Sequence, residues 1–293
     1  MTGSLDDAAL LAWAAGRRDD LPWRHTRDPW AVLVSELMLQ QTQVARVVPR
    51  WHRFLVLFPN ARACADAGVG AVVAEWAGLG YNRRAVSLHR AAVVIVERHQ
   101  GEVPDDLAQL LDLPGVGPYT ARAVMVFAFE RDDAVVDTNV GRVLARQVGS
   151  RLAARSAQDA AGDLVPIGRG WAWNQAILDL GAILCTKRSP SCEECPVSGS
   201  CAWFASGRSE PDPADGSAGV SGRQSRFEGS FRQGRAHLLD ELRLGVPVPQ
   251  ERWLVACGWE SRDDGVADAE RAADSLVSDG LAIQRPDGSL SLP

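Results

Sequence analysis

The sequence predicts an all-α protein that ends in a small mixed module, and three observations predict it. Apolar residues recur at helical spacing from Leu5 to about Gly181. No alternating run of strand length interrupts them. Glycine and proline fall between the periodic stretches, at Pro22, Pro29, Pro59, Gly80, Gly101–Pro104, Pro114–Gly117 and Gly168–Gly170.

Taken in order, Leu10, Leu11 and Trp13 open an amphipathic segment. Trp30, Leu33, Leu37 and Val44 continue the 3.6-residue period, as do Val47, Trp51, Phe54 and Leu55. A loop with four cysteines follows at about 185–201. The stretch 207–222, GRSEPDPADGSAGVSG, is polar and rich in proline, glycine and serine, and reads as a linker. Helical runs are expected near Gly234–Leu244, Gln250–Cys257 and Ala267–Asp279. Leu281–Leu292 then carries Pro286-Asp287-Gly288 between short β-like runs, a hairpin signal. Three helices and a hairpin resemble a winged helix; a generic small α+β module fits equally well.

The length, 293 residues, suits two or three lobes. A hydrophobic content of 46% is sufficient for real cores. No apolar run reaches membrane-spanning length. The N-terminus lacks a basic-then-apolar leader, so a cytoplasmic, nucleoid-associated location is expected. A net charge of −6 argues against a simple nucleic-acid coat protein. Arginines nevertheless cluster at 17, 18, 24 and 27, at 46, 50 and 53, at 83, 84 and 90, and at 142, 146 and 151, while 263–287 is acidic. A basic face is allowed, although charged helix faces are usually just solvated. Lys187 is the only lysine.

Cys185, Cys192, Cys195 and Cys201 are spaced C-x6-C-x2-C-x5-C. Thiolates select zinc or an iron–sulfur cluster. Zinc favours paired C-x2-C knuckles, and only one such pair is present, so spacing favours the cluster about two to one. Two disulfides would need an oxidising compartment. Cys64 and Cys257 are isolated and read as buried small hydrophobes.

Leu113-Pro114-Gly115-Val116-Gly117-Pro118-Tyr119-Thr120 lies between two helical runs. Its glycines permit a sharp turn with bare amides, and Pro118 suits a first helical turn. Amides at a helix N-terminus hold phosphate without reading sequence. An ordinary helix–helix turn is the plain alternative.

Glu36 interrupts the apolar Val32–Leu39 run. Burial there would raise its pKa and make it an acid near neutral pH. Asp137, in Val135-Val136-Asp137-Thr138-Asn139, is placed to cap a helix from about Asn139 to Gln147, the plain role for a lone aspartate. Two carboxylates acting on one sugar suit glycosidic cleavage: one protonates the leaving group, the other stabilises an oxocarbenium-like sugar.

Pro22-Trp23-Arg24, Ser35-Glu36-Leu37-Met38-Leu39-Gln40-Gln41-Thr42-Gln43-Val44, Gly78-Leu79-Gly80-Tyr81, the LPGVG hairpin, Val136-Asp137-Thr138-Asn139, Asn174-Gln175-Ala176 and the cysteine loop occur in this order. Together they resemble the adenine DNA glycosylases (MutY) of the helix-hairpin-helix, endonuclease III superfamily, over roughly residues 5–205. LMLQQTQV is the most discriminating element. The resemblance implies an all-α, two-lobed fold: a glycosylase domain over 1–205, with a six-helix lobe at about 28–133 and an iron–sulfur lobe at about 1–27 and 134–205, then a linker at 206–222 and a module at 223–293. It implies a [4Fe–4S] cluster on the four cysteines. It also implies excision of adenine mispaired with 8-oxoguanine or guanine, from double-stranded DNA, by base flipping.

Carried over by residue, Glu36 protonates adenine and then helps place water. Asp137 stabilises the sugar cation, with Tyr119 and Asn139 in support. Arg24 and Gln175 contact the flipped base. Gln41, Thr42, Leu79 and Tyr81 probe the opposite base and wedge into the stack. Gly115, Gly117, Lys187 and Arg188 meet phosphates. Bifunctional relatives use a lysine amine where this chain has Tyr119, so a monofunctional hydrolase is expected. A monomer, with repair or replication proteins as partners, is also implied.

The chain departs from the family in two ways. The tail is short and lacks a run of glycine and glutamates like that of enzymes hydrolysing oxidised nucleotides, and position 82 is Asn where the family often has Tyr. Rivals are a glycosylase for mismatched thymine or damaged pyrimidines, and a non-catalytic iron–sulfur DNA-binding protein.

Overall fold

The computed structural model describes residues 5–217 and 226–293. Fifteen α-helices and one two-stranded hairpin follow one another among these residues. They are α1 (Asp7–Ala14), α2 (Pro29–Leu39), α3 (Val44–Leu57), α4 (Ala61–Asp66), α5 (Gly68–Glu75), α6 (Arg83–Arg98), α7 (Leu107–Leu111), α8 (Pro118–Phe127), α9 (Thr138–Val148), α10 (Ala154–Gly162), α11 (Gly170–Ile183), α12 (Ala202–Ala205), α13 (Phe231–Leu242), α14 (Trp253–Cys257) and α15 (Gly265–Ser278). The hairpin pairs β1 (Ile283–Gln284) with β2 (Leu290–Ser291), antiparallel, with Ile283 opposite Ser291. All-α character, the final three helical runs and the hairpin all agree with the sequence reading.

Two compact units form. The first contains the described residues of Met1–Val32, Asp105–Leu111 and Val116–Arg223; the second contains those of Leu33–Pro104, Asp112–Gly115 and Gln224–Pro293. Compactness thus groups α8 with the cysteine loop, and the final module with residues 33–104, whereas the sequence reading drew the lobes at 28–133 and kept the module apart. The regrouping has local causes. In the first unit α8 packs on α7 and α11. In the second, Arg243 of the final module donates to the Val73 carbonyl at 3.1 Å and to Asn82 Oδ1 at 2.9 Å. Of the expected linker, residues 218–222 lie outside the described residues, as does the start of the module at 223.

The first unit is built round α9 and α11, which cross against each other and against α1, α10 and α12. Leu10, Val140, Leu144, Trp173, Ile177 and Leu180 make its core. Gly181 lets the crossing be close: a Cβ there would lie 2.7 Å from Asn139 Cβ and 3.0 Å from the Asn139 carbonyl oxygen. The second unit packs α4 and α5 on α6, with Phe54 edge-on to Phe58 and Trp76 inside it. Such aromatic pairs contribute about 0.5–1.5 kcal/mol each beyond their buried area. Cys64 and Cys257 are buried, as expected of isolated cysteines.

Candidate active site and cluster pocket

Asp137 sits where an extended residue turns into α9. It is the N-cap, and its Oδ1 accepts the Val140 amide at 2.7 Å. The capping role read from sequence is therefore real, but it uses only one oxygen. Oδ2 accepts Asn139 Nδ2 at 3.0 Å. Asn139 Oδ1 in turn accepts Arg142 Nη2 at 2.8 Å, and Arg142 also donates to the carbonyls of Gly181 (2.7 Å) and Cys185 (2.6 Å). A continuous chain of hydrogen bonds thus links the first cysteine of the loop to the Asp137 carboxylate. Burial raises the Asp137 pKa; the Val140 and Asn139 donors and the Arg142 charge oppose that rise.

Asn174, fully buried on α11, accepts the Val135 amide at 2.7 Å and donates to the Asp133 and Gly170 carbonyls. It fixes the strand-like segment that delivers Asp137. Gln175, the next residue, is half-buried. Arg24, in a short 3-10 turn, is clamped by Asp179 at 2.9 and 2.8 Å, with Arg18 3.6 Å from the same carboxylate. Its Nε is buried without a hydrogen-bond partner. Tyr119 is half-buried in the first turn of α8.

The turn between α7 and α8 places Gly115 at φ +81°, where a Cβ would meet Ser87 Cβ at 2.5 Å. Turn and packing both demand glycine there. Gly117 differs. It caps α8 at φ −94°, and a Cβ on it would meet nothing within 4 Å. The packing at that position would accept a side chain.

In the second unit Glu36 lies on α2 among Leu33, Val34, Leu37 and Met38, and is 5% exposed. Beyond the end of α2, Gln41 is exposed at φ +55° and Tyr81 is 45% exposed at φ +45°. Arg84, itself buried, fixes both turns. It donates to the carbonyls of Leu37, Met38 and Gln40, to Thr42 Oγ1, and to the carbonyls of Leu79, Gly80 and Tyr81, at 2.7–3.3 Å. It thereby satisfies carbonyls that the end of α2 leaves without helical partners. Burial lowers its pKa to about 10. Leu79 departs from the expected wedge: its side chain is 3% exposed, packed inside, and only its carbonyl serves the loop. A recess beside this loop is lined by Gln40, Gln41, Tyr81 and Arg83, with Arg235 from the final module. Sequence reasoning missed Arg84, Arg142 and Arg235, because a buried arginine looks like any other arginine in a basic stretch.

The four cysteines line one recess, with Val143, Leu180, Leu184 and Trp203 as apolar wall. Among the described residues no three potential ligands crowd closely enough to grip a single ion. Backbone amides of Val197 and of Trp203 and Phe204 favour the thiolates of Cys195 and Cys201, and Arg146 Nη1 lies 3.3 Å from Cys185 Sγ. Burial, reinforced by the neighbouring thiols, pushes the Cys195 thiol up to about 11. The donor set fits the cluster. Lys187 and Arg188 are exposed on the same loop.

Comparison with known proteins agrees. The HhH-GPD superfamily base excision DNA repair protein family matches residues 34–160, and the iron-sulfur binding domain of endonuclease III matches 185–201. The chain is 43% identical to the adenine DNA glycosylase of Mycolicibacterium smegmatis, over 99% of this chain and 96% of that one. It is 40% identical to that of Mycobacterium tuberculosis over 99% and 94%, and 38% identical to that of Homo sapiens over 78% and 44%. A solved thermostable thymine-DNA glycosylase superposes with a TM-score of 0.65 at 33% identity, covering 68% of this chain and 95% of that chain. An endonuclease III in a DNA complex superposes at 0.61 with 22% identity, covering 68% and 94%, a likeness of fold. The iron–sulfur domain match spans all four cysteines, the protein carries a [4Fe–4S] cluster and binds DNA, and the chain belongs to the adenine DNA glycosylases of base excision repair.

Proposed function

We propose that the substrate is adenine mispaired with 8-oxoguanine or guanine, flipped from the duplex and removed by a monofunctional hydrolase. The observation that carries this reading is the Asp137 carboxylate. It is half-buried, held at both oxygens, and tied through Asn139 and Arg142 to the cluster loop.

Glu36 is the acid. It gives its proton to N7 of adenine, the glycosidic bond breaks, and the base leaves with the bonding electrons. Asp137, ionised, stabilises the sugar cation until water adds at the anomeric carbon and loses a proton to Glu36. Arg24 and Gln175 hold the extruded base. Gln41, Thr42 and Tyr81 probe the opposite base, with Tyr81 as the wedge. Gly115, Gly117, Lys187 and Arg188 hold phosphates. Cys185, Cys192, Cys195 and Cys201 would hold the cluster, which would supply a partly compensating positive core to their thiolates and pin the 185–201 loop. With Tyr119 at the hairpin and Lys187 as the sole lysine, no hairpin amine is available for a Schiff base.

A single-turnover panel of defined mispairs tests the reading. Adenine opposite 8-oxoguanine and guanine is expected to be cut, and thymine opposite guanine left intact. Borohydride is expected to trap no DNA adduct. Efficient thymine release or an amine-linked adduct would refute the proposal.

A further inference from the structure

The stretch read from sequence as linker does not behave as one over its first half. Residues 209–217 fold back on the first unit. Trp203 Nε1 donates to the Ser209 carbonyl at 2.9 Å, Arg151 Nε to the Gly216 carbonyl at 2.6 Å, and the Leu152 amide to Ser217 Oγ at 3.1 Å. Ala214 and Ser217 are buried. Between these anchors Asp212 meets Arg146, with contacts of 2.6 Å to Nη2 and 3.1 Å to Nε.

Arg146 faces the cluster pocket at the same time. It is 2% exposed. Its Nη1 reaches Cys185 Sγ at 3.3 Å and the Thr186 carbonyl at 2.8 Å, and Nη2 reaches the Lys187 carbonyl at 3.2 Å. Its guanidinium lies 4.5 Å from the centre of the Trp203 ring. One buried cation therefore joins a cluster ligand, the loop carrying Lys187, and an acidic residue supplied from beyond the last cysteine. Without Asp212 that cation would be buried with carbonyls and a sulfur only, a costly state.

We propose that Ser209–Ser217 is a strap that packs against Arg146, a residue of the cluster pocket's wall, and that Asp212 is a positioning residue acting through Arg146 on Cys185. The strap holds Asp212 against Arg146, which lines the pocket beside Cys185. Asp212 holds the guanidinium at the hydrogen-bond distance from sulfur and offsets its charge. Groups behind a metal ligand commonly change metal retention 10–100-fold, and charge beside a cluster shifts its potential.

Three full-length variants loaded with cluster test this, read by decay of the visible absorption in ferricyanide with a chelator, and by voltammetry. Asp212→Asn keeps size and removes the charge; it is expected to lose cluster about ten-fold faster and to move the potential upward. Arg151→Met frees the strap at Gly216 and leaves every charge touching the pocket in place; it is expected to lose cluster several-fold faster with the potential unmoved. Asp212→Glu keeps the charge and is expected to stay close to the parent in both readings. Parent-like decay in both Asp212→Asn and Arg151→Met overturns the proposal.

Discussion

Each compact unit is organised at its functional edge by one buried arginine, and the two arginines do different work. Arg84 in the second unit bonds to six carbonyls and a hydroxyl, all local to the turns that display Gln41 and Tyr81. Arg142 in the first unit bonds to the Gly181 and Cys185 carbonyls and, through Asn139, to the carboxylate of Asp137. Arg84 holds a shape. Arg142 holds a shape and also sets the surroundings of a charged group. Losing the first is expected to cost stability and selectivity, and losing the second to cost rate.

The largest effects belong to the carboxylates themselves. Glu36→Gln and Asp137→Asn are each expected to lower single-turnover adenine excision by about 10³-fold or more while DNA binding persists. Asp137 adds a signed pH effect. Its pKa is raised in the folded protein by burial. The stability it contributes is therefore present below the unfolded-state value and lost as pH rises through the folded one. Asp137→Asn should then melt higher than the parent at neutral pH and lose that advantage in acid. Parent excision should fall off on the acid side at a pH above the ordinary aspartate range. An unshifted acid limb would contradict the burial assigned to this group.

The arginines come next and bear on the contrast directly. Arg142→Gln is expected to slow excision roughly 30-fold by loosening Asn139 and Asp137, within the range such supporting groups command. Arg84→Gln strands several buried carbonyls and is expected to cost about 3 kcal/mol in denaturant unfolding. Equal rate losses at equal stability losses in the two variants would erase the distinction. Tyr81→Ala is expected to reduce the rate ratio between 8-oxoguanine and guanine mispairs by about five-fold, an effect of about 1 kcal/mol. The smallest change belongs to Lys187→Gln with Arg188→Gln. It should weaken binding to all duplexes alike and flatten the salt dependence by about two in log–log slope.

Much of this was legible in the chain. Helical periodicity, the breakers and the Pro286–Gly288 turn located helices and hairpin, because each rests on local chemistry. Four cysteines and a carboxylate in an apolar run located the chemistry, because burial of such groups is conspicuous. What escaped is long-range. Arg84 reaches back 47 residues to Leu37, Arg146 reaches 66 residues ahead to Asp212, and Arg243 reaches 161 residues back to Asn82. No periodicity encodes such partners. Residues 209–217 looked like linker because their composition is polar, yet one carboxylate and a few carbonyls anchor them.

Gly181 shows how far a requirement of catalysis can travel from the substrate. It has no side chain and offers the reaction nothing, yet it lies where α11 packs against the start of α9. Even a methyl group there would push directly on Asn139 and so disturb the grip on Asp137. In a screen of random variants, alanine at this position would score as though an active-site residue had been struck, and the protein would still fold around its defect.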